Sequence, residues 1–245
     1  MNKAASNQAT CVVLCGGRGS RMGEQTKELP KPLVEIAGKP ILQHILEKLD
    51  TVGFDQVVLC TGYKSEKIEE HVENRVLKTD TSLVVNNTGE NTAMLARIYQ
   101  SKHLFNDHVV VCYGDTFIDL DIPQLIQQHI DEQREITIVT GKIKNPFGIL
   151  SLDESTEKVT SFIEKPTYDY YIGCFVFKSS LLDQVTDEML EMPDGNGLVN
   201  LFHQMIDSQR MHFHRFKGMQ ITFNTEPERQ VAEKTLNNYY TISNE

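Results

Sequence analysis

CVVLCGGRGSRMGEQTKELPKPLVEIAGKP, residues Cys11 to Pro40, is the stretch on which the rest of the chain turns. Its opening, Cys11-Val12-Val13-Leu14-Cys15, is a continuous apolar run bounded by glycines, as a strand buried on both faces of a parallel sheet should be. That strand empties into Gly16-Gly17-Arg18-Gly19-Ser20-Arg21-Met22. Glycines let backbone N–H groups approach phosphate oxygens closely, and the two arginines bring charge to the same turn. The turn is not a dinucleotide fingerprint, because Met22 stands where the third glycine belongs. It is not a Walker A loop either, since no Gly-Lys-Ser/Thr follows at the required distance. On glycine content alone, a strand-ending turn with solvated charges is an equally simple reading.

Outward from this stretch, short β-rich runs alternate with helical stripes. Ile41 to Leu49 carries apolar residues at helical spacing. Gln56 to Thr61 reads as a strand, Ser65 to Val76 as a polar amphipathic helix, and Ser82 to Val85 as a third strand. Thr92 to Ser101 reads as a helix and His108 to Tyr113 as a fourth strand. Strands separated by helices again and again give βαβ units and a mostly parallel sheet. Beyond Gly114 the rhythm changes. Asp121-Ile122-Pro123 opens a helix with a good cap and an early proline. Strand-like runs then crowd together at Ile136 to Lys142, Gly148 to Leu152, Val159 to Ile163 and Tyr171 to Lys178, which predicts antiparallel or mixed pairing. Helices are expected at Ser180 to Asp187 and Leu198 to Ser208, then a pair of strands at Met211 to Phe216 and Gln220 to Phe223. Thr225 and Glu228 form a capping box for the last helix.

The 245 residues suffice for one large domain with a substantial core. Lys and Arg total 24 against 34 Asp and Glu, a formal charge of -10, which argues against nucleic acid as the main partner. It leaves room for a local basic pocket that takes a small phosphorylated ligand. No apolar run reaches the roughly 18 residues of a membrane span. Met1 to Thr10 shows no signal-peptide core. The five cysteines form no CxxC pair and mostly sit in apolar runs, so they read as reduced thiols in a cytoplasm. Cys11 and Cys15 are expected in the core. His212 and His214 alternate along one strand with no third ligand near, and read as ordinary edge histidines.

The segment after the glycine turn adds Leu29-Pro30-Lys31-Pro32-Leu33 and Gly38-Lys39-Pro40. Apolar strand, GGxG(S/T)RM, KPL and GKP together resemble the signature of the sugar nucleotidyltransferases. The resemblance runs on through Val111-Cys112-Tyr113-Gly114-Asp115, Pro146-Phe147-Gly148-Ile149-Leu150, Glu164-Lys165-Pro166 and Asn224-Thr225-Glu226-Pro227-Glu228, in matching order and spacing. GKPIL followed by His44, CTGYK at Cys60 to Lys64, Thr88-Gly89-Glu90 and YGDTFIDLDI at Tyr113 to Ile122 most resemble the glucose-1-phosphate cytidylyltransferases.

That resemblance implies an α/β fold: a Rossmann-like, mostly parallel central sheet flanked by helices, with a smaller mixed-sheet acceptor-binding part. It implies one domain over residues 11–245 after a flexible extension of residues 1–10, the nucleotide half ending near 120. It implies that a nucleoside triphosphate, CTP as the first candidate, and a sugar 1-phosphate or similar metabolite yield an activated product and pyrophosphate, with Mg2+ as cofactor. Arg21 and Lys31 would grip the triphosphate, and Arg18 is a further loop cation. Asp115 would hold the metal with Asn224, where many relatives carry Asp. Leu14, Cys15, Gly16, Gly17, Gly19, Ser20, Asn87, Thr88, Gly89 and Gly114 would line the nucleotide. Lys165 would meet the acceptor's phosphate, with Gly148, Glu164 and Gly173 around its body. Ile172 departs from the family, which has an Asn there for a sugar hydroxyl. A non-sugar acceptor of the phosphocholine kind and a non-catalytic nucleotide-binding subunit are therefore alternatives. Some relatives pair as homodimers. No hexapeptide repeat, the mark of an acyltransferase half, is present.

Overall fold

The computed structural model describes residues 6–23, 25–73 and 81–243. At its centre lies β1 (Ala9–Leu14), hydrogen-bonded in parallel to β2 (Gln56–Thr61) on one side and to β4 (His108–Tyr113) on the other. Its apolar run divides between two cores. Cys11, Val13 and Cys15 pack against Ile41, Leu42 and Leu46 of α1 (Ile41–Val52), with Ala232 and Leu236 from α7 (Glu226–Ser243) in the same cluster. Val12 faces the other way, toward Leu95 and Ile98 of α3 (Met94–Gln100) and Leu198, Leu201 and Met205 of α6 (Asn196–Asp207). A strand covered on both faces must be apolar at every position, so the alternation of a half-exposed strand is missing from the sequence.

The main sheet has seven strands. Its order is β10-β6-β9-β4-β1-β2-β3, where β3 is Ser82–Asn87, β6 Ile136–Lys144, β9 Thr167–Lys178 and β10 Met211–Arg215. β2 and β3 are parallel, as are β6 and β10, and β9 runs antiparallel to both of its neighbours. The expected α/β fold with a mostly parallel sheet is the observed one. α2 (Ser65–Glu73) follows β2 as expected, and its expected end at Val76 lies outside the described residues. α4 (Ile122–Asp131) opens on Asp121, whose carboxylate accepts from Gln124 N at 3.0 Å.

One expectation fails. The single helix over Ser180 to Asp187 is a 3₁₀ segment, Ser179–Gln184, followed by a separate short helix, α5 (Asp187–Glu191). The break falls at Thr186, whose hydroxyl caps the new helix by accepting from Met189 N. The strands after Arg210 do not pair with each other. β10 joins the main sheet, while β11 (Gln220–Thr222) pairs antiparallel with β5 (Thr116–Ile118) in a small ladder of its own.

β7 (Ile149–Asp153) and β8 (Lys158–Ile163) form a two-stranded antiparallel arm outside the main sheet. Every residue of β8 is exposed. No helix among the described residues is long and apolar enough to cross a membrane.

Candidate active site

The carboxyl ends of β1 and β4 open into a cleft of about 600 Å3, the position at which open α/β sheets bind ligands. Its near wall is the glycine turn. Gly19 has φ +62°, and a Cβ there would lie 2.8 Å from Lys31 Cβ, so a side chain is excluded twice over. The turn then tightens into a 3₁₀ segment at Ser20–Met22, with Met22 N donating to Gly19 O and the Thr26 hydroxyl donating to the same carbonyl. Met22 is buried in the core beneath it. The residue that breaks the dinucleotide fingerprint is thus the anchor of this loop.

Lys31 sits in a second 3₁₀ segment, Lys31–Leu33, started by Pro30. It is 6% exposed, deep for a lysine. Its ammonium donates to Asp115 Oδ2 at 2.5 Å and to Asn224 Oδ1 at 3.2 Å, and lies 5.5 Å from the centre of the Phe223 ring. Asp115 lies in the two-residue link between β4 and β5, and Asn224 lies two residues past the end of β11. The ladder between β5 and β11 matches Thr116 to Thr222, so it holds the two oxygens on one spot. Arg21, Lys31, Asp115 and Asn224 all line the same cleft.

A carboxylate and an amide oxygen converging on one cation are a hard-oxygen donor pair. Magnesium takes few protein oxygens and keeps several waters, so the residues present fit it. Among the described residues, no cluster of three or more His, Cys, Asp or Glu forms a metal cage. The remaining ligands of such an ion would have to come from water and phosphate.

The far wall is Glu90 to Met94. Arg18 spans to it from the glycine turn, with Nη2 3.0 Å from Glu90 Oε1 and 3.2 Å from Asn91 Oδ1. Asn87, Thr88 and Gly89 lie just behind that wall: Asn87 Oδ1 accepts from Gly89 N, and the Thr88 hydroxyl donates to Thr61 O. Gly114 is squeezed against β1, where a Cβ would meet Cys15 Sγ at 2.6 Å and Leu14 O at 2.9 Å. Burial pushes the Cys15 thiol well above the usual cysteine pKa, with the Cys60 thiol and Asp115 adding to the shift, so it stays a neutral wall atom.

Leu14 to Arg21, Lys31, Asp115 and Asn224 are thereby gathered in one place. Gly148, Glu164 and Lys165 are not. They belong to the arm and its flanks, where Lys165 Nζ is 3.6 Å from Glu164 Oε1 and both side chains are exposed. Gly173 lies between: at φ +83° it sits under the Tyr113 ring, which lines the cleft, and a Cβ would come within 3.2 Å of that ring. Ile172 points into the core at 2% exposure. His212 and His214 stand on β10, and His214 Nδ1 is 3.0 Å from Gln128 Oε1.

Sequence reasoning missed Arg97. It is 5% exposed and lines the cleft floor, with its guanidinium bonded to three separate backbone segments. The available signal was a charged residue inside the apolar stripe Met94-Leu95-Ala96-Arg97-Ile98, a pattern that demands a buried polar partner.

The family model described as nucleotidyl transferase matches residues 10–219. A mannose-1-phosphate guanylyltransferase catalytic subunit beta of Drosophila melanogaster is 32% identical over 193 residues, covering 75% of this chain and 52% of its own length. The chain thus spans about half of that relative. A glucose-1-phosphate cytidylyltransferase of Salmonella typhi is 31% identical over 204 residues, covering 72% of this chain and 78% of its own. Among solved structures, HddC from Yersinia pseudotuberculosis superposes with a TM-score of 0.69 at 20% identity, over 93% of this chain and 99% of that one. At that identity the likeness speaks for the fold.

Proposed function

The chain belongs to the nucleotidyl transferase family, and from that premise we propose that it joins a nucleoside triphosphate to a sugar 1-phosphate and releases pyrophosphate. CTP is the first candidate donor, supported by the stretches around Cys60, Thr88 and Tyr113 that resemble the cytidylyltransferases. One observation carries the reading: Arg21, Lys31, Asp115 and Asn224, far apart in sequence, meet in one cleft.

The reaction needs no protein nucleophile. An acceptor phosphate oxygen attacks the α-phosphorus, a new P–O bond forms, and the bond to the β-phosphate breaks so that pyrophosphate leaves with its electron pair. The chain's task is to align two polyanions and offset their charge. The Arg21 guanidinium offers a fork for phosphate oxygens, and Lys31 a compact charge at the cleft floor. Backbone N–H groups of the open turn around Gly17, where no atom crowds a Cβ, approach the phosphates. Asp115 and Asn224 would hold Mg2+, which when bound supplies charge neutralisation at the transferring phosphoryl group. Lys165 and Glu164 take the acceptor's phosphate and body from the arm side. Five buried, unpaired thiols support a cytoplasmic setting.

The buried, apolar Ile172 favours a second reading in which the acceptor is a phosphorylated alcohol without sugar hydroxyls. The test for both is purified protein with each NTP in turn, Mg2+, a panel of sugar 1-phosphates and phosphocholine, and a pyrophosphate readout. Turnover with CTP and a sugar 1-phosphate is expected. Turnover with phosphocholine alone moves the reading to the second acceptor class, and no turnover with any pair overturns both.

A further inference from the structure

One side chain in the cleft floor has no part in the scheme above, although its guanidinium makes four hydrogen bonds. Arg97 Nη1 donates to Thr61 O at 2.6 Å and to the Thr88 hydroxyl at 2.7 Å, and Nη2 donates to Gly16 O at 3.2 Å and Glu90 O at 3.1 Å. These acceptors belong to the end of β2, the turn after β3 and the glycine turn after β1. No carboxylate forms an ion pair with Arg97 among the described residues. Burial pushes its pKa down from the usual arginine value. A guanidinium taken out of water and met only by neutral oxygens is a costly element.

The surrounding backbone is cut to fit it. A Cβ at Gly16 would fall 2.2 Å from the guanidinium carbon, and one at Gly62 would fall 2.3 Å from Nη1. Gly16 thereby admits Arg97, and Gly62 admits both Arg97 and the Gly89 carbonyl, which would lie 2.6 Å from a Cβ there. The need is also local. β3 is an edge strand, so the Thr88–Glu90 turn that leaves it has a sheet neighbour on one side only. The planar fork of Arg97 ties that turn to the loop that leaves the central strand. A lysine, with one point charge, cannot span three segments in this way.

We propose that Arg97 is a positioning residue for nucleotide selection: it fixes the distance between the glycine turn and the Thr88–Glu90 turn, and with it the slot that the base enters. This rests on the reading of the cleft as a nucleotide site. The experiment compares wild type, Arg97→Lys and Gly62→Ala, the last displacing the fork and the Gly89 carbonyl of the turn it holds while leaving Arg97 in the chain. kcat/KM is measured for CTP, UTP, GTP and dTTP with one acceptor, and binding of each nucleotide is measured by calorimetry without acceptor. In both variants the ratio between the best and worst nucleotide should fall about tenfold or more, with acceptor KM held within about twofold. The double variant should be no worse than either single one, because both remove the same constraint.

A uniform fall for all four nucleotides, with their ratio intact, would show that Arg97 only supports the fold and would overturn the inference. If wild type binds nucleotides selectively yet turns over no acceptor, the enzymatic reading fails while the calorimetric ratios still decide on Arg97. If wild type binds none of the four, both fall together.

Discussion

The cleft floor and the arm are built on opposite principles. The floor is made of strand ends buried on both faces and cross-tied by Lys31 and Arg97, each at most 6% exposed. The arm is one antiparallel ladder with Phe147 at 72% and Phe162 at 63% exposure, and Lys165 at its flank pairs, among the described residues, only with its neighbour Glu164. Two-stranded ribbons are marginal by themselves in water, whereas a doubly covered parallel sheet is held throughout. The contrast suits the division of labour proposed for them. On that proposal the triphosphate side is set in advance, and the acceptor side is completed by what it binds.

That contrast can be broken at several points. The largest effect is expected from Asp115→Ala, which removes the one carboxylate of the converging pair. Pyrophosphate release should fall at least about a thousandfold with the fold retained by circular dichroism. Retention of a tenth of the wild-type rate would remove Asp115 from the site. Stability should separate the two regions just as sharply. Leu59→Ala, in the fully buried β2, should cost about 2–5 kcal/mol in denaturant unfolding. Phe162→Ser on the arm should stay within about 0.5 kcal/mol. Equal losses would show that the arm is as fully packed as the sheet.

The acceptor-side half carries a titratable prop. His129 is buried against Thr137, its Nδ1 2.9 Å from that hydroxyl and its Nε2 without a partner among the described residues. Burial, with His108 nearby, pushes its pKa down to about 3. Below the unfolded-state value near 6.5 the unfolded chain gains a proton that the folded chain refuses. Stability should then decline as pH falls from about 6.5 toward 3, at up to about 1.4 kcal/mol per pH unit from this group. His129→Gln should flatten that decline in denaturant titrations at pH 7, 6 and 5, and an unchanged slope would remove His129 as its source. The smallest expected effect on activity is that of Lys165→Ala: about a tenfold rise in acceptor KM with the CTP KM unaltered. A rise in the CTP KM instead would put the arm on the nucleotide side.

The sequence was most legible where burial is total. β2 and β4 have the bounds their apolar runs predict, because a strand covered on both faces leaves no ambiguity of period. The motif positions Arg21, Lys31, Asp115 and Asn224, singled out by their local sequence, all line one cleft. The break between Ser179–Gln184 and α5 was written in Thr186-Asp187-Glu188, a cap followed by two acids, and was overrun by the apolar pair Leu181 and Leu182. The burial of Arg97 was signalled by its place in an apolar stripe, but what it binds was not. Its partners are carbonyl oxygens of Gly16, Thr61 and Glu90, and backbone acceptors leave no trace in the residues that carry them. The pairing of β11 with β5 was hidden for a related reason: short three-residue strands pick partners by where the chain returns.

That short ladder carries one last implication. Thr116 and Thr222 face each other although they are 106 residues apart, and almost the whole acceptor half, arm included, is strung between them. Of the described strands within that stretch, only those of the β7–β8 arm lie outside both the main sheet and the ladder itself, so lengthening, trimming or exchanging the arm leaves the spacing of Asp115 and Asn224 untouched so long as the ladder zips. On the proposed function, new acceptors are tried by remodelling that arm while the cleft at the strand ends stays fixed.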